Sequence, residues 1–212
     1  MENLEFILKI MEREGRRRNA KVFELEKENM GNPFKMLIST ILSSRTRDEN
    51  TIIATRKLFS RINNAEELSK LDIKTIEKLI YGVGFYKTKA KNIKKTSEIL
   101  INKFNKNVPS NLDDLLKLKG VGRKTANIVL SRCFGKDALG VDTHVHKISN
   151  RIGWVKTKKP EETEKKLIKI VPKKFIRKFN LVLVSYGQTI CTPKNPKCEI
   201  CKIRKFCRRV GI

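Results

Sequence analysis

Four of the five cysteines fall within the last 22 residues, as Cys191, Cys198, Cys201 and Cys207, with the spacing C-x6-C-x2-C-x5-C. A disulfide framework belongs to secreted chains. The N-terminal segment is not expected to act as a signal peptide, because Lys9 breaks its short apolar stretch and no small-residue cleavage site follows. The expectation is therefore a metal held by thiolates, with the final segment wrapped around it. Two metals stay open on spacing alone. Zinc sites usually pair two CxxC knuckles, and this segment has one, Cys198-Glu199-Ile200-Cys201. A 4Fe–4S cluster also takes four cysteines, and uneven spacing suits a loop folded round a cube. Cys133 stands apart in an apolar run and reads as a small core residue.

The rest of the chain reads as helix. No sustained period-two alternation occurs, and apolar residues such as Leu4, Ile7, Leu8 and Met11 recur at helical spacing. Pro33 opens a helix through Leu37 and Ile41, and Asp48 is the expected N-cap of another covering Ile52 and Leu58. Asn64 with Glu67 marks a further start. A Lys-rich helix is expected from Lys87 to Phe104, a short one after Asn111, and one from Arg123 to Phe134 closed by Gly135. Others begin near Asp142 and after Pro160 and Pro172. The expected class is all-α, with about ten helices joined by short turns.

Charge then bears on function. The chain has 48 Lys+Arg against 22 Asp+Glu, a net +26, together with 39% hydrophobic residues. That hydrophobic content excludes a disordered basic tail, and no apolar run approaches the ~18–20 residues of a membrane span. A folded and strongly basic chain is expected to bind an anionic polymer, by default nucleic acid. Half of the net charge lies in residues 155–212, with 17 Lys+Arg against 4 Asp+Glu. Two Gly-x-Gly turns offer a means of grip: Leu118-Lys119-Gly120-Val121-Gly122-Arg123-Lys124 and Ile80-Tyr81-Gly82-Val83-Gly84-Phe85. Glycine permits positive φ and lets backbone N–H groups approach a phosphate oxygen with no Cβ in the way. The following helix N-terminus adds a favourable dipole. An ordinary glycine cap between packed helices would use the same residues, but Arg123 and Lys124 directly after the turn favour phosphate.

LKGVGRKTA, FGKDALGVDTHV and the cysteine pattern, in this order, resemble endonuclease III, a DNA glycosylase family of the helix–hairpin–helix superfamily, over essentially the whole chain. The resemblance implies two helical domains with a DNA-binding cleft between them. One is a six-helix barrel over residues 25–136, with the helix–hairpin–helix at about 113–133. The other joins residues 1–24 to 137–212 and carries the cluster loop, 191–207. The resemblance places the catalytic lysine at Lys124 and the catalytic aspartate at Asp142. It makes Cys191, Cys198, Cys201 and Cys207 the ligands of a 4Fe–4S cluster. Gly120, Val121, Gly122 and Arg123 become phosphate contacts, as do Lys194 and Lys197 in the cluster loop. Arg45 and Phe85, beside Gly84, match the positions that fill the gap left by an extruded base, although the bacterial pattern carries Gln where this chain has Arg45. His144 and His146 match no catalytic role and read as packing residues.

The expected activity is excision of oxidised or damaged pyrimidines from duplex DNA, followed by β-elimination at the abasic site through a lysine Schiff base. The expected partner is double-stranded DNA with damaged bases or abasic sites, met by a monomer in the cytoplasm or nucleoid of a prokaryotic cell, with no membrane partner. The alternatives are a related glycosylase with another base preference and a non-catalytic iron–sulfur DNA-binding module. The adenine-specific branch typically places a glutamate before the LSAQ-like loop. The thymine-mismatch branch typically has tyrosine for the catalytic lysine. Here Asn32 to Arg47 contains no acidic residue and Lys124 is present.

Overall fold

The computed structural model describes residues 3–212, so the domain start expected at residue 1 lies outside the described residues. Among these residues there are twelve α-helices, two short 3₁₀ turns and no strand. The helices are α1 (Leu4–Arg17), α2 (Lys21–Asn29), α3 (Pro33–Ser43), α4 (Asp48–Phe59), α5 (Ala65–Lys70) and α6 (Ile73–Leu79). They continue as α7 (Tyr86–Lys103), α8 (Leu112–Leu116), α9 (Arg123–Phe134), α10 (Thr143–Ile152), α11 (Pro160–Ile170) and α12 (Lys173–Thr189). No described helix is long and apolar enough to cross a membrane.

Local side-chain chemistry sets five of the helix starts. The side chains of Asn32, Asn64, Asp72, Asn111 and Asp142 each accept a hydrogen bond from the backbone N–H three residues on, satisfying a donor the helix cannot use. At α5 the pairing is reciprocal, because Asn64 Nδ2 donates to Glu67 Oε1 at 2.8 Å, and Glu67 Oε2 also accepts from the N–H of Asn63. Asp48 departs from the expected role: Arg47 occupies the cap position without a side-chain bond, and Asp48 is the first residue of α4. Its carboxylate still opposes the positive end of the helix dipole. Helix α2 was not expected. Its sequence, KVFELEKEN, is mostly charged and buries only Asn29, so it carries little apolar periodicity.

The chain divides into two compact units, one of Leu25–Gly135 and the other joining the N-terminal segment through Glu24 to Lys136–Ile212. Within the first unit, α3 is buried along almost its whole length, including Leu37, Ile38, Ile41 and Leu42. It packs on α9, α4 and α7, and α7 also packs on α5 and α6. Within the second unit, α12 packs on α1 and α10, over a core that includes Leu8, Met11, Val145, Ile148, Phe179 and Tyr186. Gly187 lets α12 lie directly against α10, since a Cβ there would stand 2.3 Å from His144 Nδ1.

Gly187→Ala is therefore expected to destabilise the protein by about 1–3 kcal/mol through overpacking. Thermal unfolding measured by circular dichroism checks this, and an unchanged melting temperature would contradict the packing described.

Candidate nucleic-acid interface and catalytic residues

The hairpin between α8 and α9 is held by its own apolar residues. Leu118 and Val121 are buried, and the N–H of Val121 donates to the carbonyl of Leu118 at 3.3 Å. The two glycines do different work. Gly120 has φ +79°, and a Cβ there would lie 3.1 Å from Asn92 Nδ2, so both conformation and space favour glycine. Gly122 has ordinary extended φ and nothing within 4 Å of a would-be Cβ. Its missing side chain leaves the approach to the backbone open. Among the described residues, the N–H groups of Gly120 and Gly122 have no backbone partner. Helix α9 follows with no side-chain cap and no acidic residue in its first turn. Arg123 is exposed and Lys124, the second residue of α9, is half-buried. An open turn before an uncapped helix start has the chemistry that favours an anion, and a lysine stands beside it.

The second Gly-x-Gly turn is built differently. Gly84 donates its N–H to Thr46 Oγ1 at 3.1 Å, and a Cβ on it would stand 2.6 Å from the carbonyl oxygen of Arg45. The N–H of Gly84 is thus already used, and its lack of a Cβ makes room for the Arg45 carbonyl. Phe85 follows with φ +58° and is 64% exposed, and Arg45 has φ +52° and is also exposed. A left-handed backbone costs a residue with a Cβ about 1–2 kcal/mol, so both exposed side chains are held where the surrounding loops put them. Tyr81, also exposed, meets Tyr86 edge-on at 5.4 Å.

Lys89 was missed, being one of many lysines on α7. It is only 7% exposed. Its ammonium donates to the carbonyls of Leu42 and Ser44 and to Thr46 Oγ1, the first at 2.7 Å and the last at 2.9 Å. The oxygens favour the charged form. Burial, followed by repulsion from Lys124, outweighs them and lowers its pKa to about 8.

In the other unit, Asp142 caps α10, with Oδ1 accepting from the N–H of Val145 at 2.9 Å. Among the described residues, Oδ2 has no hydrogen-bond partner, so the carboxylate has one oxygen to spare. Buried Asn180 on α12 donates to the carbonyl of Gly140 at 2.8 Å, fixing the segment that delivers Asp142. His146 Nδ1 bonds Thr163 Oγ1 at 2.7 Å, and the ring of His144 packs on Gly187, which suits packing roles for both.

The four late cysteines are half-buried, and three of them (Cys191, Cys201 and Cys207) pack against the core of this unit. Arg151, 7% exposed on α10, reaches Cys191 Sγ at 3.4 Å and the carbonyls of Thr192 and Pro193 at 2.8 and 2.9 Å. Tyr186 Oη lies 3.2 Å from Cys201 Sγ, and the N–H of Arg209 donates to Cys207 Sγ at 3.4 Å. Burial pushes the Cys191 and Cys207 thiols up, and neighbouring cysteines add to the shift. A guanidinium, a tyrosine hydroxyl and a backbone N–H thus lie at three of the four sulfurs, a setting that suits thiolates bound to an iron–sulfur centre. Lys194 and Lys197 are exposed in the loop. Arg151 and Tyr186 gave no sequence signal beyond a charged residue and a tyrosine on otherwise apolar helix faces. Cys133 is half-buried, and burial pushes its thiol up to about 11, which favours the protonated form.

Comparison with known proteins now adds to this geometry. Residues 38–173 match the model of HhH-GPD superfamily base excision DNA repair proteins, and residues 191–207 match the iron–sulfur binding domain of endonuclease III. The chain is 51% identical to endonuclease III of Thermotoga maritima over 82% of both chains. It superposes on a solved non-covalent endonuclease III–DNA complex with a TM-score of 0.80 and 33% identity, covering 92% of this chain and 95% of that one. A trapped endonuclease III–DNA covalent intermediate gives the same TM-score and identity, covering 92% of this chain and 96% of the other.

The low pKa of Lys89 has a consequence for stability. Between pH about 8 and 10.5 the unfolded chain holds this proton and the folded chain has released it. The unfolded state then binds more protons, so this group makes stability rise with pH across that window. Relative to Lys89→Met, the wild type is expected to gain stability from pH 8 to 10.5 in denaturant titrations, and a constant difference would contradict this.

Proposed function

Because this chain belongs to the endonuclease III family of the HhH-GPD superfamily, a family of base-excision DNA glycosylases and abasic-site lyases with a 4Fe–4S cluster, we propose that Lys124 and Asp142 carry its chemistry and that its substrates are damaged pyrimidines. The observation that carries this reading is the position of Lys124. It stands one residue inside an uncapped helix N-terminus, next to the open glycine turn. A backbone phosphate bound at that turn brings a deoxyribose within reach of the amine.

The neutral Lys124 amine attacks C1′ as the C1′–N bond to the damaged base breaks, and the base leaves with the bonding electrons. Positive charge develops on the sugar, and the Asp142 carboxylate is the group that stabilises it. Ring opening gives a Schiff base between Lys124 and C1′. The imine acidifies the C2′ proton, whose removal expels the 3′ phosphate and cuts the strand. Arg123 and the Gly120 to Gly122 backbone hold the phosphate without reading sequence. Cys191, Cys198, Cys201 and Cys207 hold the cluster, which supplies a fixed frame for the basic loop. Lys194 and Lys197 on that loop bind phosphate, and hydrolysis and elimination need no electron transfer. Arg45 and Phe85 occupy the gap left by the extruded base. One chain carries all of these residues, which supports action as a monomer. The joint presence of Lys124 and Asp142 disfavours a non-catalytic DNA-binding module.

On a duplex containing thymine glycol, borohydride is expected to trap a covalent protein–DNA complex, and Lys124→Ala is expected to abolish it. Asp142→Asn is expected to slow single-turnover excision by about 10²–10³-fold, the scale of losing one charge-stabilising group. Equal trapping by Lys124→Ala would contradict the mechanism.

A further inference from the structure

Helix α7 is rich in lysines that face water, yet Lys89 is buried. A buried ammonium is costly unless oxygens replace the lost water, and here all three of its N–H groups find one. Two are the carbonyls of Leu42 and Ser44, where α3 ends, and the third is Thr46 Oγ1. Thr46 Oγ1 also accepts the N–H of Gly84, the residue directly before Phe85. A second tie runs from Asn50 Nδ2 to the carbonyl of Gly82 at 3.0 Å. Lys89 therefore joins the loop bearing Arg45 to the turn bearing Phe85, and both of those residues sit in the left-handed region.

The same face of α7 also holds the hairpin. Thr96, two turns beyond Lys89, donates from Oγ1 to the carbonyl of Lys119 at 2.8 Å, and Asn92 lies against Gly120. Residues 89, 92 and 96 follow i, i+3, i+7 spacing along one stripe.

We propose that Lys89 is a positioning residue for base extrusion: its three hydrogen bonds lock Arg45 and Phe85 into one two-pronged wedge, carried on the helix face that anchors the phosphate-gripping hairpin. This rests on the wedge roles given under Proposed function. A wedge fixed before contact loses no conformational freedom on entering the duplex. The demand on it is greatest when a stacked, paired base must be displaced, and least at an abasic nucleotide, which has no base to unstack. Loosening the clamp should therefore separate two activities that a general structural defect would lower together.

The test compares wild type, Thr46→Val and Lys89→Met in single-turnover reactions on a thymine-glycol duplex and on a preformed abasic site. Thr46→Val removes the junction without changing charge near Lys124. It is expected to slow base removal at least about tenfold while strand cleavage at the abasic site stays within about twofold. Lys89→Met is expected to show a similar loss of base removal. 2-Aminopurine placed opposite a stable abasic analogue reads wedge entry directly, and its fluorescence change on binding should fall in both variants. If Lys89→Met does not fold, Thr46→Val decides. Equal losses on both substrates, or no loss on either, would overturn the proposal. If the wild type fails on thymine glycol, the family-based substrate reading is at fault, and the 2-aminopurine signal still supports or overturns the clamp.

Discussion

The N-terminus of α9 is the constraint on which the site in the Leu25–Gly135 unit depends. A helix end exposes N–H groups with no partner of their own, and five of the described helices answer one of them with an Asn or Asp cap. Helix α9 does not: it is preceded by glycine, lacks an acidic first turn and presents Arg123 and Lys124. This opening stays in place because the rest of α9 is anchored by apolar residues. Ala126, Val129 and Leu130 are buried on α9, and α9 packs on α3, the most completely buried helix of the unit. The core thus holds in place a helix end that no side chain caps, and that end is the part proposed to meet phosphate.

The cysteine loop solves a related problem in the other unit. A segment of this length with two short 3₁₀ turns has little core of its own. It is held instead by Arg151, which bridges Cys191 and the carbonyls of Thr192 and Pro193, and by Tyr186 beside Cys201. A planar guanidinium suits this work because it offers several donors in fixed directions while staying charged. Helix α10 therefore does two jobs, with Asp142 at its start and Arg151 near its end. Lys194 and Lys197 are exposed on a loop that is pinned in place, so their charge is presented at fixed positions.

Much of this was legible in the sequence. The Asn and Asp caps, the prolines at helix starts, the Gly120 and Gly122 turn and the cysteine spacing are local signals, and local chemistry acts within three or four residues. What escaped reading depends on contacts far apart in the chain. Lys89 looks like any surface lysine until the ends of α3 and its loop, more than forty residues earlier, close over it. Arg151 and its carbonyl partners are likewise some forty residues apart. Gly84 read as a second phosphate cradle because its motif matched the first. The approach of the Arg45 carbonyl and the bond from the Gly84 N–H to Thr46 Oγ1 distinguish the two turns. Helix α2 lacked apolar periodicity, and Asp48 stood one residue past the cap position expected for it.

Two lysines of one unit interact electrostatically, Lys89 and Lys124, and the account gives them opposite tasks: the buried one braces and the half-buried one attacks. Peptide mass mapping of the borohydride-reduced adduct on an abasic-site duplex tests that division most directly. The account predicts the deoxyribose remnant on Lys124 alone. A remnant on Lys89, or spread across surface lysines, would contradict it.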